Sequence, residues 1–243
     1  MRDVDGILYP SVTEILDTAF PTNWEKKQKQ YDLIHGEGAW SQRRQQRAFE
    51  GTTLHAAAQV FLQGNAFPEI NDEIREYWEA LSPYLKTLPP YHIIALEETI
   101  AHRPLFFAGT PDAVIELETG ERWLLEFKTF DGYPIGNRGY QGVWPLWKRK
   151  MKGVNCPSLP TWEWTTPIFR RALLQTWLYK LVLDINYPNS QVQKISILVA
   201  TRSQGLQEIT FPFHLWQDCH TEALAIIKTF HHRQPIKFRD DGN

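Results

Sequence analysis

A predicted β-hairpin in the middle of the chain constrains the fold more than any other feature of the sequence. Two short apolar runs, Ala113 to Leu117 and Trp123 to Phe127, flank the turn signal Glu118-Thr119-Gly120-Glu121. Short apolar runs on either side of a glycine turn are typical of two antiparallel strands. The sequence therefore predicts a sheet at this point, with other elements covering its apolar faces.

Helical patterns lie on both sides of this hairpin. Ser11 and Glu14 have the spacing of a capping box and predict a helix start, and Gly51 is predicted to open a separate helix. The other predicted elements are a polar helix from Trp24 to about Phe49, helices at Asn71–Leu85, Arg170–Leu183 and Leu215–His231, and strands at Ile93–Ile100, Ile195–Thr201 and Leu206–Phe213. This order predicts one α/β or α+β domain over residues 1–243, with a helical part at 1–90 and a core with a central mixed sheet at 91–243.

Charge and cysteine content exclude several kinds of site. The formal net charge of -2 excludes a uniformly basic surface, so any nucleic-acid contact must come from a local patch. Cys156 and Cys219 are the two cysteines and form no CxxC pair, which excludes a cysteine-rich zinc site and a four-cysteine iron–sulfur cluster. The N-terminus has no apolar signal core, and no apolar run is long enough to span a bilayer. We therefore expect a cytoplasmic protein with no membrane partner.

The second strand of the hairpin carries charged residues at alternate positions. Glu126 and Lys128 share one face of this strand, and a hairpin that is symmetric about Thr119-Gly120 places Asp112 opposite them. Two neighbouring carboxylates repel each other unless a cation lies between them, and Mg²⁺ or Mn²⁺ takes oxygen ligands of this kind. With a lysine beside it, such an ion equips a site for phosphodiester hydrolysis. Taken alone, each fragment more often forms a salt-bridged strand edge or an ordinary turn.

Two further motifs add to this pattern. In Gly51-x-x-x-His55, a neutral imidazole could complete a metal site, with Gly51 allowing close approach at the helix start. The more common role of a lone histidine is packing or capping. In Gln175-x-x-x-Tyr179, the two residues share a helix face and could hold the lysine or a DNA phosphate. The alternative is the polar flank of an amphipathic helix.

These residues, taken in order, resemble a known family. The set Gly51-x-x-x-His55, Gly109-x-x-Asp112, Glu126-x-Lys128 and Gln175-x-x-x-Tyr179 resembles the RecB-like exonucleases of the PD-(D/E)XK superfamily. The opening Tyr9-Pro10-Ser11-Val12-Thr13, followed by Trp24, is more narrowly similar to the mitochondrial genome maintenance exonucleases and their phage and bacterial relatives. The resemblance covers roughly residues 8–200 as an ordered series of motifs.

The resemblance implies a fold and a set of roles. The fold is a restriction-endonuclease-like α/β core, in which a central mixed sheet is flanked by helices. The implied ligands of Mg²⁺ or Mn²⁺ are His55, Asp112, Glu126 and the backbone carbonyl of Phe127, with Lys128 as the catalytic lysine supported by Gln175 and Tyr179. A glutamate on the preceding strand often joins such a site, and Glu97 is the nearer match, with Glu98 as the alternative. The chain lacks the cysteine cluster of the iron–sulfur members.

An insertion at about 131–168 makes the segment between Lys128 and Gln175 longer than the family pattern. From Gly132 to Trp162 it contains no Asp or Glu. Its basic and aromatic residues predict binding of single-stranded DNA through phosphate contacts and base stacking. An equally weighted alternative is a loop whose tryptophans pack back on the domain. The predicted DNA-binding residues are Arg138, Trp144, Trp147, Lys148, Arg149, Lys150 and Lys152.

The resulting hypothesis is a metal-dependent DNA exonuclease of the kind used in DNA repair, which prefers single-stranded ends. Helicase motifs are absent, so unwinding would require a helicase or recombination partner. Arg43, Arg44 and Arg47 are a candidate second phosphate-contacting patch, although a solvated helix face is the favoured interpretation of these three alone. The alternatives are a structure-specific endonuclease on the same fold and a nucleic-acid-binding module without catalytic activity.

Overall fold

The structure, a computed structural model, describes residues 1–20, 24–64, 68–130, 167–189, 191–202, 205–210 and 216–233. Its helices are α1 (Val12–Ala19), α2 (Trp24–His35), α3 (Ala39–Leu62), α4 (Arg75–Lys86), α5 (Pro167–Asn186) and α6 (Trp216–Arg233), with a 3-10 turn at Arg103–Leu105. Its strands are β1 (Arg2–Val4), β2 (Ile7–Tyr9), β3 (Tyr91–Leu96), β4 (Ile100–His102), β5 (Phe107–Gly109), β6 (Ala113–Leu117), β7 (Arg122–Thr129), β8 (Val192–Thr201) and β9 (Gly205–Thr210). Within these ranges, no helix is both long and apolar enough to cross a membrane.

A five-stranded mixed sheet, in the order β3-β6-β7-β8-β9, forms the centre of the fold. β7 and β8 are parallel, and the other neighbouring strands are antiparallel. In the predicted hairpin, Ala113 pairs with Leu125 and Glu116 pairs with Arg122. Two further two-stranded sheets pair β1 with β2 and β4 with β5. The predicted α/β class, with a central mixed sheet flanked by helices, is confirmed.

Two apolar cores cover the two faces of the central sheet. Leu124 of β7 belongs to the core that includes side chains of α1, α5 and α6, whereas Leu125 and Phe127 belong to the core that includes side chains of α3 and α4. This division follows from the alternation of side chains along a strand. Glu126 and Lys128 therefore lie on the same face as Leu124, the face that α5 covers.

The helices before the sheet differ from the prediction. α3 continues through Gly51, where the sequence predicted a new helix, and the break in the predicted polar helix instead falls between α2 and α3. Gly36 and Gly38 lie at this break with φ angles of +100° and +78°, which glycine adopts without strain. An interior glycine such as Gly51 costs a helix about 1 kcal/mol relative to alanine. The buried packing of Leu54 and Ala58 offsets that cost.

The predicted strand from Ile93 to Ile100 is also interrupted. β3 ends at Leu96, the chain turns at Glu97, and β4 then pairs with β5 instead of continuing the central sheet. Glu97 has a φ angle of +48°, in the left-handed region that non-glycine residues seldom adopt. This turn directs the Glu97 side chain away from the path that a continuous strand would give it. By contrast, the predicted capping box of Ser11 and Glu14 is present at the start of α1.

Candidate active site

The end of the β6–β7 hairpin opposite its turn brings two carboxylates and an ammonium together. Asp112 immediately precedes β6, and its Oδ2 accepts a hydrogen bond of 2.6 Å from the Phe127 amide. On β7, the Lys128 Nζ donates to Glu126 Oε1 at 2.6 Å. Asp112 and Glu126 are both buried, whereas the Lys128 side chain keeps 27% of its surface exposed. Part of the Lys128 side chain therefore reaches the surface, while both carboxylates are covered.

His55 of α3 lies between this hairpin and Glu97. Its Nδ1 is 3.1 Å from Glu97 Oε1 and 3.4 Å from Asp112 Oδ1, and its Nε2 is 3.1 Å from the carbonyl oxygen of Phe127. His55, Glu97 and Asp112 each offer one ligand atom, and these atoms all lie within 4.8 Å of one another. Three distant parts of the sequence thus place a nitrogen and two carboxylate oxygens at distances that one metal ion could bridge.

The charges of the site strongly perturb its proton equilibria. Burial, together with repulsion from Glu126, raises the pKa of Asp112 from 3.8 to about 7. Burial lowers the pKa of His55, but attraction to Asp112, Glu97 and Glu126 outweighs burial and raises it overall. Burial likewise lowers the pKa of Lys128, but attraction to Glu126 and Asp112 outweighs burial and raises that pKa overall. The site therefore holds an excess of carboxylates that attracts cations.

Gln175 and Tyr179 of α5 complete the surroundings of Glu126. The Gln175 side-chain amide donates to Glu126 Oε1 at 3.0 Å and to the Tyr179 hydroxyl at 2.9 Å. Tyr179 is buried, and burial beside Glu126 raises its pKa well above 10. Because Glu126 Oε1 also accepts from Lys128, the amide and the ammonium fix this carboxylate from two sides. Tyr179 is therefore not part of a solvated polar flank of the helix, which was the alternative interpretation of this motif.

The two motif glycines have different surroundings. A Cβ atom added to Gly109 would lie 2.5 Å from Cδ1 of Tyr179, so only glycine allows this strand to approach the tyrosine ring. A Cβ atom added to Gly51 would lie 3.9 Å from Thr129 Oγ1, an ordinary contact. The predicted helix start at Gly51 is wrong, because α3 continues through it, and no close contact among the described residues requires a glycine there. The close approach belongs to Gly109.

The donor set fits a hard divalent cation. Carboxylate oxygens, a backbone carbonyl and an imidazole nitrogen are ligands that such cations accept. Cys219, the cysteine among the described residues, is buried in the apolar core. Glu126 Oε2 is buried and has no hydrogen-bond partner among the described residues. A buried carboxylate oxygen without a partner is costly, and a bound cation would remove that cost. Glu98, the alternative to Glu97, is not part of the cluster of His55, Glu97 and Asp112, and the predicted ligand Glu126 also lies outside that cluster, next to Asp112.

Arg171 is a charged residue near the site that the reasoning from the sequence did not single out. It lies one turn before Gln175 on α5, and its positive charge acts on Lys128 in the direction that lowers the lysine pKa. Its Nη1 forms an ion pair of 2.7 Å with Asp17 Oδ1 of α1. The spacing of four residues from Arg171 to Gln175, and again to Tyr179, was the available signal.

The predicted DNA-binding residues fall into two groups. Those of the insertion, from Arg138 to Lys152, lie outside the described residues. In the candidate basic patch, the guanidinium groups of Arg43 and Arg44 lie over the rings of Tyr31 and Trp24, at 5.6 and 5.1 Å. Arg47 forms an ion pair of 3.0 Å with the buried Glu50. These arginines therefore also attach α2 to α3 and neutralise a buried charge.

Comparison with known proteins gives only distant similarity. No family model matches the chain, and a search of the curated proteins finds no significant match. Among solved structures, an inferred exonuclease from Eubacterium rectale aligns over 77% of this chain and 65% of its own, with a TM-score of 0.42 and 10% identity. The structure of SSO0001 aligns over 94% of this chain and 79% of its own, with a TM-score of 0.38 and 15% identity. At these values the similarity carries no information about the chemistry of the site.

Proposed function

We propose that this chain is a single-domain, divalent-metal-dependent nuclease that hydrolyses DNA phosphodiester bonds, working from ends and preferring single strands. The observation that carries the proposal is the cluster of His55, Glu97 and Asp112 within 4.8 Å, beside the paired Glu126 and Lys128. His55, Asp112, Glu126 and Lys128 also belong to the motifs that resemble the RecB-like exonucleases. The preference for DNA ends comes from that resemblance, and the geometry supports the hydrolytic chemistry.

The proposed ligands of Mg²⁺ or Mn²⁺ are Asp112, Glu126, His55 and the Phe127 carbonyl, with Glu97 as a further carboxylate. When bound, such an ion would polarise the phosphodiester and lower the pKa of a coordinated water. A protonated imidazole cannot act as a ligand, and the neighbouring carboxylates raise the pKa of His55. Ion binding by this residue should therefore weaken as the pH falls.

Lys128 is the proposed catalytic lysine. Its ammonium is held by Glu126 at 2.6 Å, where it can orient the attacking water or neutralise charge that develops on the phosphate. Gln175 keeps Glu126 in place by donating to the same oxygen that binds the lysine. Glu126 and Gln175 are therefore the proposed positioning residues of the catalytic lysine.

The direct test is cleavage of a labelled linear single strand in Mg²⁺, in Mn²⁺ and in EDTA. We expect shortening of the strand with either ion, none in EDTA, and a loss of at least about 100-fold in rate for Lys128→Ala. Lys86→Ala is the matched control, because Lys86 is exposed at the end of α4 and takes no part in the cluster. No cleavage with any divalent ion would overturn the proposal.

A circular single strand separates the exonuclease from the endonuclease alternative. An exonuclease leaves the circle intact and degrades the same sequence once it has been linearised. Substrates blocked at the 5′ or the 3′ end then report the direction of digestion. Cleavage of the closed circle would show that no DNA end is required and would favour the endonuclease alternative.

A further inference from the structure

Arg171 is a partly exposed cation that lies near the candidate active site. Gln175, one turn after Arg171 on α5, donates to Glu126 Oε1, and Lys128 donates to that same oxygen. Arg171 also contacts Thr13 at the start of α1, and the neighbouring Val12 and the Tyr179 ring both lie against Gly109 at the edge of the site. Both α5 and the start of α1 therefore place the Arg171 guanidinium beside the site, where a phosphate of a bound strand could reach it.

The carboxylate that pairs with Arg171 does not bury or neutralise it completely. The Arg171 side chain is 29% exposed, and that of its partner Asp17 is 60% exposed. An ion pair this open to water contributes at most about 1 kcal/mol, so a phosphate can displace the carboxylate. The second contact of Arg171, from Nη2 to the Thr13 carbonyl oxygen, is long at 3.5 Å.

The nearby acidic residue of α1 is already engaged and does not compete for Arg171. Glu14 Oε2 accepts from the N-terminal amino group at 2.7 Å and from the Ser11 amide at 3.3 Å. Asp17 is therefore the carboxylate of α1 with which a phosphate would compete for Arg171. Arginine is well suited to this position, because its planar guanidinium can bind two phosphate oxygens at once.

We propose that Arg171 binds a backbone phosphate of the nucleic-acid strand next to the scissile one, and that Asp17 holds the guanidinium in place until the strand arrives. The inference rests on the proposed nuclease function and adds a residue to its substrate contacts. The ligand is a phosphodiester of DNA, recognised through its charge and its paired oxygens. No base is read, so the contact is independent of sequence.

Binding to a labelled oligothymidylate in EDTA tests the proposal without cleavage. Arg171→Ala should weaken binding by about 3- to 10-fold and reduce the slope of log affinity against log salt by about 0.7, the value for one phosphate on a single strand. Arg103→Ala is the matched control, because Arg103 forms an exposed pair of 2.8 Å with Asp5 and lies outside the site. We expect its affinity and salt slope to equal those of the unaltered protein.

Asp17→Asn distinguishes a phosphate contact from a structural tie between α1 and α5. If Arg171 binds phosphate, removing its competing carboxylate should strengthen binding by about 2- to 5-fold, the opposite of Arg171→Ala. A purely structural ion pair would make both variants weaken binding and lower Tm together. That outcome, or an unchanged salt slope in Arg171→Ala, would overturn the inference.

Neutral methylphosphonate linkages identify the contacted phosphate. A series of strands carries a single neutral linkage, each at a different position. At one position the linkage should weaken binding to the unaltered protein but not to Arg171→Ala, which has already lost that contact. Equal effects on both proteins at every position would contradict the inference. If the unaltered protein cleaves the unmodified strand in Mg²⁺ or Mn²⁺, the proposed function stands whatever the outcome for Arg171.

Discussion

Replacing Asp112 with asparagine should stabilise the metal-free protein while it abolishes activity. The pKa of Asp112 rises from 3.8 to about 7 on folding, because the carboxyl group is buried beside Glu126. A carboxyl group whose pKa is raised by folding binds more protons in the folded state. It therefore lowers stability progressively as the pH rises from about 4 to about 7, and the full penalty remains above that range.

The size of the effect follows from the same values. A rise from 3.8 to about 7 corresponds to about 4 kcal/mol, at about 1.36 kcal/mol for each pKa unit. Asparagine keeps an acceptor for the Phe127 amide but loses the attraction to His55, which reduces the gain. We expect Asp112→Asn to raise the free energy of unfolding by about 1–3 kcal/mol at pH 8, or Tm by about 2–4 °C for each kcal/mol.

Thermal melts in EDTA at pH 8 and at pH 5 measure this prediction. The gain should shrink at pH 5, where Asp112 is protonated in the folded state. Asp72→Asn is the control, because Asp72 is 89% exposed and pairs only with Arg75 among the described residues. Added Mn²⁺ should raise the Tm of the unaltered protein and not that of Asp112→Asn. A destabilised Asp112→Asn variant at both pH values in EDTA would refute the reasoning.

Four further substitutions test the site and the elements that support it. Gly109→Ala places a Cβ 2.5 Å from the Tyr179 ring and should lower the free energy of unfolding by about 1–3 kcal/mol. Gly51→Ala adds a Cβ at an ordinary contact distance of 3.9 Å, so it should be neutral or stabilising by up to about 1 kcal/mol. Thermal or urea unfolding measures both. Gln175→Ala removes the donor to Glu126 and should lower kcat by about 10- to 100-fold with little change in KM, as single-turnover and steady-state assays would show. Ser11→Ala should lower the free energy of unfolding by about 1 kcal/mol through the lost capping box and leave cleavage unchanged.

Local spacing made the hairpin and its charged end predictable from the sequence. The turn at Thr119-Gly120 fixes the pairing of β6 with β7, and the alternation along β7 then fixes the face of Glu126 and Lys128. The pairing of Gln175 with Tyr179 follows equally from helical spacing. Where a contact depends on positions within one or two elements, the sequence contains the necessary information.

Contacts that depend on the backbone path between elements could not be predicted in this way. The position of Glu97 results from a left-handed turn at a residue type that rarely adopts it, so a strand pattern gave no sign of it. The role of Gly109 depends on how close α5 comes to β5, which only tertiary packing decides. The continuation of α3 through Gly51 shows packing overriding local helix propensity.

The helix α2 has a consequence for the dynamics of the protein. None of its side chains is buried, and contacts such as those of Arg43 with Tyr31 and Arg44 with Trp24 attach it to α3. A helix of 12 residues is marginal in isolation, so α2 should open and close independently of the central sheet. Its amides should exchange with deuterium long before those of β7 and β8.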